Sequence, residues 1–328
     1  MASAADEARL RRGRAGNPRG GELVANSCGP GWTTLRQRTG LTADWRARRI
    51  RRRNGDGRRT ARSFSSFRGR WPRQGGEAMQ ITVIGGTGLV GSSLVRQLEQ
   101  AGHGVVAAAR STGVDIVTGT GLEKALEGAD AIVDVSNPGY GDPAAMLRFF
   151  RASTARLLIA AHRAGVRHHV LFSAIGAGRV NGGYYVAKQM QEALVAASNI
   201  PFTIVRSAPL FEYIYAVVEA GRTAEAVRVP PVRIEPIGTE DAAAVLARIT
   251  PRAPANAVVE IAGPNRYQLP DLAQQILTAN EDYRPVVTDG DGDFFGAHIT
   301  GDPLTGRDAL RPGSAELDLW IDRALVPA

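Results

Sequence analysis

Cysteine is almost missing from this sequence. Cys28 stands alone among 328 residues, so no disulfide can join two parts of the chain. No apolar run approaches the ~20 residues that cross a bilayer, and the N-terminus lacks the apolar core of a secretory signal. No membrane partner is therefore expected, and a cytoplasmic location is the expectation. Histidines are few and scattered. His168 and His169 are neighbours on one strand and point to opposite faces, while His103, His162 and His298 lie apart. With no cysteine near them and no His-x-x-x-His pair, no metal is assigned. Lysine is scarce too: residues 79–328 hold only Lys124 and Lys188, against nineteen arginines.

The net charge of +8 is unevenly spread. Residues 1–78 carry nineteen arginines and six acidic groups, leaving 79–328 at −5. The high isoelectric point thus belongs to the first quarter, and nothing in 79–328 calls for nucleic acid. The first segment includes Arg48-Arg49-Ile50-Arg51-Arg52-Arg53 and three of the four tryptophans, Trp32, Trp45 and Trp71, with no sustained period. Like-charge repulsion and few aliphatic residues predict disorder. Three readings are open: a nucleic-acid-binding arm, an organelle transit peptide, and an upstream extension of a reading frame that starts at Met79.

Order begins at Gln80-Ile81-Thr82-Val83-Ile84, a short buried strand. It runs into Gly85-Gly86-Thr87-Gly88-Leu89-Val90-Gly91 and then a helix with Leu89, Val90, Leu94, Val95 and Leu98 on one side. Gly102 closes the helix, and Val105 to Ala109 supplies a second strand. A strand, glycine turn, helix and strand in this order form the unit in which backbone N–H groups and a helix N-terminus hold a pyrophosphate. Gly85 permits the tight turn, Gly88 lets phosphates approach, and Gly91 allows close packing. A glycine turn alone is weak, but the flanking strand and helix are the context it needs. Thr87, Leu89 and Val90 complete the expected cofactor contact.

The second strand ends in Arg110-Ser111-Thr112 rather than in the acidic residue that would bind the ribose hydroxyls of NAD. A guanidinium with adjacent hydroxyls suits a 2′-phosphate, so NADP(H) is favoured over NAD(H). The blander alternative for Arg110 is a solvated surface residue.

His169-Val170-Leu171-Phe172 reads as a strand with Ser173 at its end, the edge that doubly wound sheets use for ligands. Eleven residues on comes Tyr184, then Lys188 one turn later. Positions i and i+4 share a helix face, and an ammonium beside a phenol lowers its pKa towards neutrality, making a usable general acid. In a sequence that uses arginine almost everywhere, a retained lysine fits a need for a compact ammonium. The bland reading of Tyr-x-x-x-Lys is a surface helix.

The glycine turn, Ser173, and Tyr184-Tyr185-Val186-Ala187-Lys188 together resemble an atypical short-chain dehydrogenase/reductase, closest to the NmrA-like NAD(P)H-binding group, also described as nucleoside-diphosphate-sugar epimerase-like. Gly128 to Pro138, Ala164 to Val170 and Ile200 to Arg206 strengthen the likeness, which covers 79–328 and none of 1–78. The resemblance implies an α/β fold, a Rossmann-type doubly wound parallel sheet with a small C-terminal substrate-side lobe. The expected division is an extension at 1–78, a dinucleotide-binding core at 79–206, and the lobe with its tail at 207–328. It also implies that Ser173 orients a substrate carbonyl, Tyr184 supplies the proton, and Lys188 holds the nicotinamide ribose. The expected activity is NAD(P)H-dependent oxidoreduction of a small carbonyl compound or quinone. A non-catalytic redox sensor, and epimerase- or dehydratase-like isomerisation, remain open on the same residues. Oligomeric state is not legible.

Relatives often end a third strand with an acidic residue near the adenine; this place reads Ile116-Val117-Thr118-Gly119-Thr120 here. The next strand, Ala131-Ile132-Val133, counted as the fourth, leads to Asp134 and to Ser136 and Asn137, expected on the cofactor cleft. Asp142-Pro143 should cap a helix running to Gly165, with Phe149, Phe150, Leu157, Leu158 and Ile159 in the core. A sixth strand at Phe202–Val205 should lead into a loop, Arg206 to Tyr213, with Phe211, Tyr213 and Tyr215 making an aromatic pocket wall or simply packing in the core. Thr239 is the expected cap of one further helix, and Leu269 to Ala279 forms another.

Overall fold

Val, Ile and small residues dominate a series of short apolar runs, and each run becomes a parallel strand. The computed structural model describes residues 78–312. The Arg-rich segment with Cys28, Trp32, Trp45 and Trp71 lies outside the described residues. The chain proceeds through β1 (Gln80–Ile84), α1 (Leu89–Gln100), β2 (Gly104–Ala108), a 3₁₀ turn (Arg110–Thr112), α2 (Leu122–Ala125), β3 (Ala131–Asp134), α3 (Pro143–Arg163), β4 (His168–Ala174), α4 (Gly183–Ala196) and β5 (Phe202–Ser207). Then follow α5 (Phe211–Ala220), β6 (Val227–Val229), β7 (Arg233–Ile234), α6 (Thr239–Ile249), β8 (Ala257–Ile261), β9 (Tyr267–Gln268), α7 (Leu269–Ala279) and β10 (Val286–Thr288).

Six strands make one parallel sheet in the order β2-β1-β3-β4-β5-β8. The chain moves outward from β1 to β2, then returns to the other side of β1 as β3. A crevice therefore opens between the carboxyl ends of β1 and β3, the usual ligand position in such sheets. Helices α1 and α6 cover one face, burying Leu94, Leu98, Ala242 and Leu246 against Ile81, Val83, Val170 and Val205. On the other face Leu126, Leu157 and Ala161 pack on Ile84 and Ile132. Each fully buried Leu or Ile contributes roughly 1.5–3 kcal/mol. This is a Rossmann-type α/β fold. A second core, around Phe211, Ile214, Val218, Leu272, Ile276 and Phe294, holds the pairs β6–β10 and β7–β9 together with α5 and α7. β8, from the C-terminal half, closes the main sheet.

Several local expectations are corrected. Residues 116–120 form a turn, not a third strand, because the Asp115 carboxylate accepts the N–H groups of Val117 (2.7 Å) and Thr118 (3.1 Å) and Gly119 takes a left-handed φ of 88°. The strand at Ala131 is thus third in the chain and that at Phe202 fifth. Arg206 and Ser207 belong to β5, and Phe211 already starts α5, so the expected loop is short. Thr239 is the first residue of α6 and not its cap, which falls on Gly238. Asp142 does cap α3, accepting from Ala144 (3.1 Å) and Ala145 (2.9 Å).

Candidate active site and dinucleotide cleft

The glycine turn leaves β1 through Gly85, whose φ of 81° favours glycine. A side-chain carbon on Gly91 would collide with the Gly85 carbonyl, so the first turn of α1 lies directly on the loop. On the far side, Gly85 faces the Ser136 backbone, 3.2 Å from where a Cβ would be. Gly88 precedes α1 without any side-chain cap, so the first N–H groups of the helix, from Leu89, Val90 and Gly91, have no capping side chain. Thr87 reaches Ser111 across the opening, Oγ1 to Oγ 3.0 Å, tying the glycine turn to the end of β2. Thr112 shapes that end, accepting from Ala109 N (2.9 Å) and donating to Ala107 O (2.8 Å). Arg110 sits on this 3₁₀ turn, exposed, with no side-chain ion pair or hydrogen bond among the described residues. The Ser136 hydroxyl is buried at the crevice floor with no partner of its own.

These features fit a dinucleotide. A glycine cradle that side chains would fill, uncapped helix N–H groups, an orphaned hydroxyl and an uncompensated guanidinium are what the pyrophosphate and ribose of a dinucleotide can use.

The expected catalytic residues converge nearby. Ser173 lies at the end of β4, and Tyr184 and Lys188 lie on α4. Tyr184 and Ser173 line a small pocket with Tyr140, Tyr213, Phe295 and Ser207. Its wall is aromatic. Tyr140 stacks on Phe295 at 4.2 Å and meets the edges of Tyr184 and Tyr213 at 5.0 Å each. Of the three aromatics expected there, only Tyr213 lines the pocket; Phe211 is buried in the second core, and Tyr215 packs against it. Asn137, expected on the cofactor cleft, has its side chain hydrogen-bonded to the Tyr140 hydroxyl. Tyr184 is hydrogen-bonded to Tyr140 as well.

Electrostatics at Tyr184 overturn the sequence expectation. Burial, with further repulsion from Tyr213, drives its phenol well above the ordinary tyrosine value instead of towards neutrality. The ammonium is engaged elsewhere: Lys188 Nζ lies over the Tyr184 ring, 6.0 Å from its centroid, but donates to Phe172 O at 2.8 Å and to Gln191 Oε1. Burial pulls the Lys188 ammonium down to about 8, against the opposing pull of Asp134 and Glu192. Gln191 hands the contact on, donating to Asp134 Oδ2 at 3.0 Å, while Asp134 Oδ1 accepts from Ser136 N at 2.9 Å. One buried chain thus links Lys188 to the floor of the dinucleotide crevice. Ser173 is likewise engaged, its Oγ donating to Glu192 Oε1 at 2.5 Å.

Gln191, Glu192, Tyr140 and Phe295 are the residues that sequence reading did not single out for the site. One signal was present: Tyr184, Lys188 and Glu192 are spaced by four and so share a helix face.

A family model described as NAD(P)H-binding matches residues 85–249. The photosystem II assembly factor Ycf39 of Synechocystis sp. (strain ATCC 27184 / PCC 6803 / Kazusa) is 30% identical over 145 residues, 40% of this chain and 44% of that protein, so the match spans less than half of the relative. Among solved structures, the epimerase Mth375 of Methanothermobacter thermautotrophicus aligns with a TM-score of 0.54 at 16% identity, over 66% of this chain and 81% of that one. The dTDP-4-dehydrorhamnose reductase of Clostridium acetobutylicum gives 0.52 at 17% identity, over 64% and 84%. A short-chain dehydrogenase/reductase superfamily protein of Agrobacterium tumefaciens with bound NAD gives 0.50 at 21% identity, over 64% and 85%. At these identities the structural likeness speaks for the fold. The chain belongs to the family that this model describes as NAD(P)H-binding. Among the described residues no helix is long and apolar enough to cross a membrane.

Proposed function

We propose that this protein is an NAD(P)H-dependent oxidoreductase acting on a small carbonyl compound or quinone, with NADP(H) favoured over NAD(H). The observation that carries the reading is Tyr184, a phenol kept neutral by burial, on an aromatic pocket beside Ser173 and next to the dinucleotide crevice. Gly85, Gly88 and Gly91, with the N–H groups of Leu89 and Val90, hold the pyrophosphate. Thr87, Ser111 and Arg110 take the adenosine end, and Ser136 closes the floor. Bound dinucleotide supplies a hydride donor or acceptor. Tyr184, which carries its proton, passes it at the substrate oxygen when the bound ligand or dinucleotide offsets the burial that raises its pKa. Lys188 anchors α4 to β4 through Phe172 and keeps positive charge behind the phenol. Tyr140, Tyr213 and Phe295 exclude water and favour a flat or apolar compound.

A redox sensor that binds dinucleotide without turnover is the second reading. It is favoured by the inward engagement of Lys188 and Ser173 and by the assembly role in the name of the Synechocystis relative. Tyr184→Phe separates the two. Steady-state NADPH oxidation with a carbonyl and quinone panel should fall by about 10²–10⁴ in the variant, with NADPH affinity measured by calorimetry little changed. Undiminished turnover in Tyr184→Phe removes the tyrosine from the mechanism. Absence of any turnover by the wild type, beside tight dinucleotide binding, supports the sensor.

A further inference from the structure

Serine has one hydroxyl proton, and the carboxylate beside Ser173 determines where it goes. Ser173 is 3% exposed and Glu192 is 6% exposed, and their contact at 2.5 Å runs from hydroxyl to carboxylate. The Glu192 carboxylate is paired with Arg206, which donates through Nε at 2.9 Å to one oxygen and through Nη2 at 2.6 Å to the other. Arg206 stands directly opposite Ser173 in the register of β4 and β5, so the three groups are fixed by the sheet and by α4. An ionised carboxylate only accepts. A hydrogen bond to it is roughly twice as strong as one to a neutral carbonyl, so a ligand carbonyl does not draw the proton away.

Ser173 also lines the aromatic pocket. With its proton committed to Glu192, what its hydroxyl has left to offer a ligand is lone pairs. We infer that Glu192 is a positioning residue that fixes Ser173 as a hydrogen-bond acceptor, so that the ligand group seated on Ser173 is itself a donor, a hydroxyl or an N–H rather than a bare carbonyl. The inference rests on the reading of this pocket as the substrate seat. Tyr184 offers a proton and Ser173 a lone pair, and one hydroxyl oxygen satisfies both. The hydroxylated member of the redox couple is therefore the form that Ser173 holds.

The test uses the full chain and two probes, 1-phenylethanol and acetophenone, which share an aromatic body and differ in the oxygen. Each is titrated in a complex that cannot react: the alcohol with reduced dinucleotide, the ketone with oxidised dinucleotide. Ser173→Ala should weaken the alcohol about ten-fold and leave the ketone within about two-fold. Glu192→Gln should weaken the alcohol and tighten the ketone, because the glutamine amide donates to Ser173 and releases the hydroxyl proton to the pocket. Equal losses for both probes in Ser173→Ala, shifts in the same direction in Glu192→Gln, or a wild type that binds dinucleotide but neither probe overturns the inference. A ligand-free measurement guards against a Glu192 variant that fails to fold. The wild type should show a slowly exchanging, downfield hydroxyl proton in its NMR spectrum that disappears in Ser173→Ala, and its absence overturns the inference directly. That resonance, present in a protein that binds no dinucleotide, would leave Glu192 as the orienting residue while removing the oxidoreductase reading.

Discussion

Two cations of the candidate site, Lys188 and Arg110, stand in opposite situations. Lys188 is buried, and its ammonium is committed to a backbone carbonyl and to Gln191, so a ligand must displace existing contacts to claim it. Arg110 is exposed and uncommitted among the described residues, so its charge is available to an incoming phosphate. Only NADPH carries the 2′-phosphate that such a guanidinium would bind. Arg110→Ala should therefore cost NADPH roughly 1.5–3 kcal/mol, or about one to two decades in affinity, with NADH nearly unaffected. Calorimetric titration with each dinucleotide reads this, and equal losses would exclude Arg110 as the discriminating residue. Spacing made Tyr184, Lys188 and Ser173 legible as candidates, because i and i+4 fix a shared face and a strand end fixes an edge. It did not make the charge state of Tyr184 legible. That depends on Tyr140 and Phe295, which arrive from distant loops and seal the phenol from water. Nor does an acidic residue on a helix disclose whether it faces solvent or, like Glu192, a half-buried arginine.

At the level of elements, the unit from β1 to β2 followed most directly from the sequence, since each glycine has one geometric duty. Gly91 has the strictest. Any side-chain carbon there overlaps the carbonyl of Gly85, and relief requires α1 to lift from the turn whose N–H groups are proposed to bind the pyrophosphate. Gly91→Ala should cost about 1–3 kcal/mol of stability through overpacking and should weaken dinucleotide binding further, because the displaced helix start is the binding element. Thermal unfolding and a dinucleotide titration on the same sample check it, and full affinity in a folded variant would show that the loop tolerates the lift. The run at 116–120 went the other way. Ile116 and Val117 have strand propensity, but Asp115 captures the following N–H groups and Gly119 takes a positive φ, so local turn chemistry prevails. Thr239 illustrates the same limit, since a helix start is fixed only to within a residue or two by composition.

Across the whole molecule, the chain reaches its last described residues by crossing back over both cores, and Glu235 fastens that return. Following directly on β7, its carboxylate is 2% exposed. It accepts from Arg266 Nη2 at 2.8 Å, from Arg311 Nη2 at 3.1 Å and from Gly306 N at 3.0 Å. The same segment bridges to β8, where Leu310 N donates to Glu260 O at 2.8 Å. Burial pushes the Glu235 carboxyl up, but the two guanidinium groups and the Gly306 N–H outweigh it and hold the pKa below the ordinary value of 4.5. A carboxylate favoured in the folded state contributes stability that is fully present above that ordinary value. The contribution is lost as pH falls through the lowered folded value. Glu235→Gln should thus destabilise the protein at neutral pH by about 2–3 kcal/mol, a figure kept modest because both arginines reach solvent. That corresponds to roughly 5–10 °C in the unfolding midpoint for a domain of this size. The gap between wild type and variant should narrow below pH 4.5 as the wild-type carboxylate takes up its proton. Unfolding midpoints followed from neutral to acid pH decide the matter: a gap that stays constant would mean that Glu235 contributes by packing alone, and that the charge on this clasp does not hold the returning chain in place.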